Sequence, residues 1–438
     1  MHCVVDFKAS GIYNHSCGKL QDGSNKILQG GYNMKIKILG STKMGYEIPK
    51  DVALDFSAKM AGICYMPDRF EDILAEPMEN TQKRVNQTLK SGHHSVYDHV
   101  TLNLLFTEIP KILAMILNNE GMYTTSEKSA RYTKMKPSPR EKELYDKWYE
   151  IFVKKIAEAY EDRFYKYHLA KLKVEEKAAK ATKTQIGKLA QENARYMISV
   201  FTPTTMAYSV SLRQLNYLRS FFEKFIEEDH DYMPASFVEM LKDSMKSFLE
   251  ETDQFYVEYL DAKVKGRGIS LFDIRVDAHT EYFGEVYATT YEGTFAELAQ
   301  AQRHRTLRYK IRFSDEAKFY VPKIIEDDES LVNEWLNDIN SVAEVYPQGM
   351  MLEIFERGTC EDFVLKCMER LCGCAQLEIA NQTAETMKKY VDAASANPES
   401  GVYKYLSQYS CGARCNFKGY KCAAPCVWGA KDAFSRKI

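Results

Sequence analysis

The sequence predicts a mixed α/β (α+β) protein built from two tandem domains and a small cysteine-rich tail. Three observations carry this expectation. The chain has 438 residues, too many for one ordinary domain of roughly 100–200 residues. The order strand, helix, helix occurs twice, with a period of about 200 residues, which suggests a domain duplication and not a solenoid. All cysteines except Cys3, Cys17 and Cys64 lie between Cys360 and Cys426, and such clustering marks a separate local function.

Composition sets the outer limits. Hydrophobic residues make up 45% and charged residues 27% of the chain, a globular balance with ample core material. The formal net charge of -2 argues against a generally basic nucleic-acid binder. No apolar run approaches the roughly 20 residues of a membrane helix. Residues 1–33 lack the apolar core of a secretory signal and read as a flexible extension. The expected location is the cytoplasm.

The elements follow in order. Lys35–Leu39 reads as a strand, with helices over 49–65 and 81–90. Ser91–His99 is a polar loop, Thr101–Phe106 a strand, and 110–118 a helix. From 141 to 165, Leu144, Trp148, Phe152, Ile156, Tyr160 and Phe164 recur every four residues and predict a long amphipathic helix. The Lys-rich stretch 171–189 reads as a solvated linker or helix face. Residues 191–225 contain another helix, with Leu215, Leu218, Phe222 and Phe225 at helical spacing, and 235–262 continue helically. Gly266-Arg267-Gly268 breaks the helical region, so the expected domains are 34–265 and 266–396. In the second, Glu285–Thr290 is a strand, Phe295–Ala301 a helix, and 360–391 one long helix. The tail spans 397–438.

Four constellations could carry chemistry. Gly92-His93-His94-Ser95 with Asp98-His99 is a metal or cofactor loop, or a set of histidines satisfied by backbone. Tyr123-Thr124-Thr125-Ser126-Glu127-Lys128-Ser129-Ala130-Arg131-Tyr132 crowds hydroxyls, a carboxylate and an arginine together. That suits a phosphate or sugar edge, or a helix N-cap cluster. Gln300-Ala301-Gln302-Arg303-His304-Arg305 is the densest positive run and suits a polyanion such as a diphosphate, or a solvated basic edge. Cys411-x3-Cys415-x6-Cys422-x3-Cys426 has the look of a tetrahedral structural zinc site, with an iron–sulfur cluster or free thiols as alternatives. Cys360, Cys367 and Cys374 repeat every seven residues and read as a buried stripe on one helix.

The first three constellations together resemble the flavin-dependent thymidylate synthase family (ThyX). That family carries a Gly-His-x-Ser/Thr…Glu-His loop, then Gln-x-x-Arg-His-Arg-x-x-Ser-x-x-Glu-x-Ser-x-Arg-Tyr, then Glu-x-Ala-Arg…Asn-x-Arg…Arg ending in Ala-Gln-x-Glu-Ile. The resemblance covers about residues 35–392 and appears twice, broken each time. The first copy keeps the loop, with Ser95 and with Asp98 for the usual Glu. It also keeps Glu127, Ser129, Arg131 and Tyr132, then Glu192-Asn193-Ala194-Arg195, and Arg213, with Ser211 replacing Asn. Its Arg-His-Arg positions fall on Asn119, Glu120 and Gly121, and its later arginine on Phe222. The second copy keeps Gln300, Arg303, His304, Arg305, Arg370 and Ala375-Gln376-Leu377-Glu378-Ile379, with Thr280 at the loop hydroxyl. Its Glu, Ser and Arg positions fall on Ile311, Phe313 and Asp315.

The losses are complementary. In the family, one subunit gives the Gln-x-x-Arg stretch and the later Arg to a dUMP, and the partner gives the Glu-x-Ser-x-Arg stretch and the Glu-x-Ala-Arg arginine. A fused pseudo-dimer would build one complete composite site and abandon the other.

The resemblance implies an enzyme that converts dUMP to dTMP with FAD as cofactor and with methylenetetrahydrofolate and NADPH as co-substrates. It implies Arg370 and Ser129 as catalytic residues. Gln300, Arg303, Glu127, Ser129, Arg131, Arg195 and Arg370 would bind substrate. Ser95, Thr280, Arg303, His304, Arg305, Arg213 and Glu127 would bind the flavin. It further implies a homodimer with four domains. A related pyrimidine modification such as hydroxymethylation, and a non-catalytic nucleotide-binding protein with a zinc tail, are the alternatives. No cysteine occurs between 65 and 359, so no thiolate is expected near either signature stretch.

Overall fold

In the computed structural model the described residues are 34–41, 49–131, 133, 135–260, 270–272 and 281–438. The expected extension 1–33, the boundary Gly266–Gly268, and the predicted residues Tyr132 and Thr280 lie outside them.

Two four-stranded antiparallel sheets organise the chain. The first is built from β1 (Lys35–Ser41), β2 (Thr101–Pro110), β3 (Tyr123–Glu127) and β4 (Pro203–Ser211), in the order β1-β2-β4-β3. The second is built from β5 (Tyr282–Phe283), β6 (Val286–Thr294), β7 (Arg308–Phe313) and β8 (Met351–Thr359), in the order β5-β6-β8-β7. Counted from its own first strand, each sheet has the same order. β2 alternates buried and open side chains along its length, as a strand with one face on a core must.

The helices are α1 (Lys50–Tyr65), α2 (Phe70–Ala75), α3 (Met78–Ser91), α4 (Lys111–Leu117), α5 (Pro139–Leu172), α6 (Glu175–Ala194), α7 (Leu212–Glu227), α8 (Ala235–Glu251), α9 (Phe295–Ala301), α10 (Glu329–Asn340), α11 (Cys360–Arg370), α12 (Leu377–Ala394) and α13 (Gly401–Leu406). Four of them start directly where a strand ends: α4 after β2, α7 after β4, α9 after β6 and α11 after β8. Ser211, Thr294 and Thr359 cap α7, α9 and α11, each side-chain oxygen accepting a backbone N–H of the first turn. Of the candidate site residues, Lys111 opens α4, Glu127 ends β3, and Gln300 and Arg370 lie at the C-terminal ends of α9 and α11.

A pseudo-two-fold relation joins the repeats. Ser199 precedes β4 by the same interval as Pro347 precedes β8, and these two positions pair with each other in an antiparallel bridge. Around it, Val200 N donates to Tyr346 O at 2.9 Å and Gln348 N to Ile198 O at 2.8 Å, so each repeat gives what it receives. The second residue of α4, Ile112, donates its N–H to Val200 O at 2.7 Å, and the second residue of α9, Ala296, donates to Gln348 O at 3.1 Å. Equivalent groups in mutual contact are the mark of an isologous interface, here between halves of one chain. The two halves share a core: one buried apolar cluster includes Leu104, Phe106 and Tyr208 of the first sheet with Leu352 and Ile354 of the second.

A second cluster lies under the α5–α6 pair. Pro139 opens α5 behind a capping box of Ser138 and Glu141. Trp148 meets Trp335 of α10 edge-on at 4.8 Å, and Trp428 of the tail packs edge-on against Tyr160 and Phe164. The tail is therefore fastened to α5.

Several sequence expectations need correction. The helix expected within 191–225 is α7, with Leu215, Leu218, Phe222 and Phe225 buried as their spacing implies; β4, which precedes it, is not among the expected elements. The helix expected over 360–391 is two, α11 and α12, parted by a turn at Gly373. Residues 123–127 are a strand, not an N-cap cluster. The Lys-rich stretch 171–189 meets its expectation, lying mostly on the exposed face of α6.

Candidate active site

The retained residues of both repeats meet across the pseudo-two-fold relation. Glu127 ends β3, and its carboxylate is 1% exposed. One oxygen takes an ion pair from Lys111 at the start of α4, and the other accepts from Arg303 Nη2 of the second repeat at 3.3 Å. Arg305 Nη2 donates to Thr125 O at 3.1 Å, and its guanidinium lies 5.7 Å from the Tyr123 ring centroid. Arg131 pairs with Glu192 of the first repeat and donates through Nη2 to Cys374 O of the second at 3.0 Å. Its backbone N–H donates to Ser129 Oγ at 3.3 Å.

Arg195 is 5% exposed. Its Nε donates to Glu192 O at 3.2 Å, and its Nη2 donates to Gln376 Oε1. Gln300 Nε2 donates to the same oxygen. Arg370 closes the group, with Nη2 donating to Gln300 O at 2.9 Å and Nε to His304 Nε2 at 2.8 Å. His304 therefore accepts, as a neutral ring does. Burial first, then the charges of Arg370 and Lys366, pull its pKa down to about 2.

Six cations gather here: Arg131, Arg195, Arg303, Arg305, Arg370 and Lys111, with Glu127 pairing to Lys111 and Arg303 and Glu192 to Arg131. Burial, and then the like charges of Arg131 and Arg303, draw the Arg370 pKa down to about 10. Burial also lowers Lys111, with Arg303 and Arg195 pushing the same way against Glu127. Cations pressed together this closely favour a bound anion.

Buried polar atoms without a partner concentrate here too. They include Asn118 Oδ1, Thr125 Oγ1, Glu297 Oε1, Gln300 Oε1 and both polar side-chain atoms of Gln302. Such atoms call for an explanation, and a bound polar ligand is one. The set fits a phosphate-bearing nucleotide and a dinucleotide cofactor: guanidinium forks for phosphates, and buried acceptors and donors for heterocycle edges.

Other predicted residues are placed differently. Arg213 Nη1 pairs with Asp98 Oδ2 at 2.9 Å, and Ser211 Oγ donates to Asp98 Oδ1 at 2.7 Å. This group at the start of α7 is built from the first repeat alone. Ser95 is exposed in the turn before β2. His94 Nε2 bonds the carbonyl of Leu89 at 3.0 Å.

The four-cysteine zinc site is not assembled. Among the described residues no group of three or more His, Cys, Asp or Glu side chains is arranged to hold a metal ion. The tail folds back on the α11–α12 turn, with Arg414 N donating to Leu371 O and Arg436 Nη2 to Ala375 O, both at 2.6 Å. The fold-back sets the Cys426 thiol against Cys374, which in turn bonds Cys372. Cys411 stays exposed and bonds Asn416 O, while Cys426 packs on Gly373. The seven-residue cysteine stripe also fails at its third member: Cys360 and Cys367 are buried on α11, but Cys374 lies past its end and is exposed.

Sequence reasoning missed Lys111 and Gln376 as site residues. Lys111 did carry a signal, as the one charge in the apolar helix KILAMIL.

The described residues form an α+β structure with two sheets of the same strand order and a cluster of cationic side chains where they meet. Residues 52–229 match the family model described as Thymidylate synthase complementing protein (Thy1). The matched stretch contains three strands of the first sheet, and the second sheet lies outside it. No curated protein matches the sequence. Similar solved structures include a UMP/dUMP methylase PolB from Streptomyces cacaoi bound with 5-Br dUMP, at 15% identity and TM-score 0.28, covering 51% of this chain and 95% of that one. Another is ThyX from Helicobacter pylori with FAD and dUMP, at 15% identity and TM-score 0.28, covering 52% of this chain and 99% of that one.

Proposed function

We propose that the protein is a flavin-dependent enzyme that acts on dUMP, methylating C5 to give dTMP with methylenetetrahydrofolate and NADPH, in one composite site per chain. The observation that carries this reading is the meeting of Glu127, Arg131 and Arg195 from the first repeat with Gln300, Arg303, His304, Arg305 and Arg370 from the second. Each repeat supplies what the other has lost. The family match over residues 52–229 supports the same reading.

Arg131 and Arg195 hold the nucleotide phosphate, with Ser129 hydrogen-bonding beside it. Glu127 fixes Arg303 and Lys111 and orients the sugar or flavin edge. Arg303, His304 and Arg305 hold FAD, with Arg213, Ser95 and Thr280 as further contacts. When bound, reduced flavin supplies the electrons of the methyl transfer. Arg370 stays cationic at neutral pH, since its pKa of about 10 lies well above 7. Beside uracil N3 it favours the ionised ring and pushes electron density toward C5. A preorganised charge of this kind contributes a few kcal/mol, about a 100-fold or greater rate effect.

The experiment is flavin content together with tritium release from C5-labelled dUMP. A yellow protein that releases tritium supports the assignment. A colourless protein without release contradicts it, and product mass spectrometry separates methylation from hydroxymethylation.

A further inference from the structure

The buried amide of Gln376 holds the two repeats' substrate arms together, and its orientation is fixed. Gln376 is 4% exposed. Its Oε1 accepts from Arg195 Nη2 and Gln300 Nε2 at once. Its Nε2 donates to Tyr196 Oη. Tyr196 Oη donates to Glu378 Oε2 at 2.6 Å, and Glu378 accepts from Thr294 N and Thr294 Oγ1, both at 3.0 Å. A guanidinium has only donors, so the Gln376 oxygen must face Arg195. The Gln300 amide must then present nitrogen to Gln376, and its second N–H goes to Ala296 O at 3.3 Å. Both Gln300 donors are used. Its Oε1 is left buried without a partner, on a residue 8% exposed.

We propose that Gln376 is a positioning residue that fixes Arg195 and turns Gln300 so that its Oε1 is the acceptor of the nucleotide site, taking an N–H or O–H donor of the ligand. This assignment rests on the nucleotide reading above. With uracil N3 assigned to Arg370, the ribose 3′-hydroxyl is the donor of dUMP that fills the place.

The test compares dUMP, N3-methyl-dUMP and 2′,3′-dideoxy-UMP by calorimetry on the FAD-loaded full chain. The wild type should bind 2′,3′-dideoxy-UMP at least tenfold more weakly than dUMP, while N3-methyl-dUMP reports on the Arg370 contact. Gln376→Leu removes the anchor and lets Gln300 turn over, so the discrimination should shrink at least fivefold. Gln376→Glu keeps an acceptor toward Gln300 and should retain it. A purely structural loss would weaken all three ligands alike and leave the ratio unchanged, which overturns the proposal. So does a wild type that binds dUMP and 2′,3′-dideoxy-UMP equally. A wild type that binds no dUMP at all removes the nucleotide reading itself, and this assignment with it.

Discussion

Arg370 and His304 show how one residue pair serves the site. Neutral His304 accepts from Arg370, and the guanidinium is aimed by that bond and by the Gln300 carbonyl. Arg370→Ala should abolish turnover while far-UV circular dichroism and the melting profile stay close to wild type; retained turnover would remove Arg370 from the mechanism. His304 also sets a pH dependence. Its folded pKa of about 2 lies below the unfolded value of about 6.5, so the unfolded chain takes up the proton first as pH falls. The stability this group contributes is complete above about pH 6.5 and is lost as pH falls below it, by up to about 2 kcal/mol at pH 5. Urea unfolding at pH 7 and pH 5 should show His304→Gln losing less stability than wild type; equal losses would contradict the burial of a neutral ring. Most residues of this site were legible because their chemistry sits in short runs such as Arg303-His304-Arg305. Lys111 and Gln376 were not, because a lone Lys or Gln carries no sequence pattern and its role depends on a partner far along the chain.

At the scale of elements, strands with alternating or β-branched residues, such as β2 and β6, could be read from the sequence, as could α5 with its aromatic stripe. β3 was hidden by its hydroxyls, which also suit caps. β7 was hidden by its charge, since Arg308, Lys310 and Arg312 read as a solvated run. The break between α11 and α12 follows from Gly373: a Cβ there would lie 3.0 Å from both Cys426 Sγ and Trp428 Cβ, so the turn and the tail need each other. Gly373→Val should cost about 1–3 kcal/mol in chemical denaturation. Gly401→Ala, where a Cβ meets nothing within 4 Å, should change stability little. Equal effects would show that the tail is not seated on this turn.

For the whole molecule, the two halves use equivalent places differently. Where Arg303 and Arg305 reach Glu127 and Thr125, the equivalent Asn119 reaches Tyr309: its Nδ2 donates to Tyr309 O at 3.0 Å, and its Oδ1 accepts from Tyr309 N at 3.3 Å. Ile311 is buried, and Phe313 packs on Phe237 at 4.8 Å. Side chains and backbone thus fill the second place. The complementary losses in the sequence pointed to this asymmetry, but the bonds that close the second place involve main chain and carry no motif. The proposed composite site is completed within one chain, which predicts that mixing inactive Arg195→Ala and Arg303→Ala chains restores no activity; recovery on mixing would mean that the site is assembled between chains.

The central claim, one composite nucleotide site per chain, is tested most directly by the stoichiometry of dUMP binding to the FAD-loaded protein in calorimetry. The account predicts one dUMP per chain, reduced to none in either Arg195→Ala or Arg303→Ala at the same concentrations. Two dUMP per chain, or a single site that survives both substitutions, would contradict it.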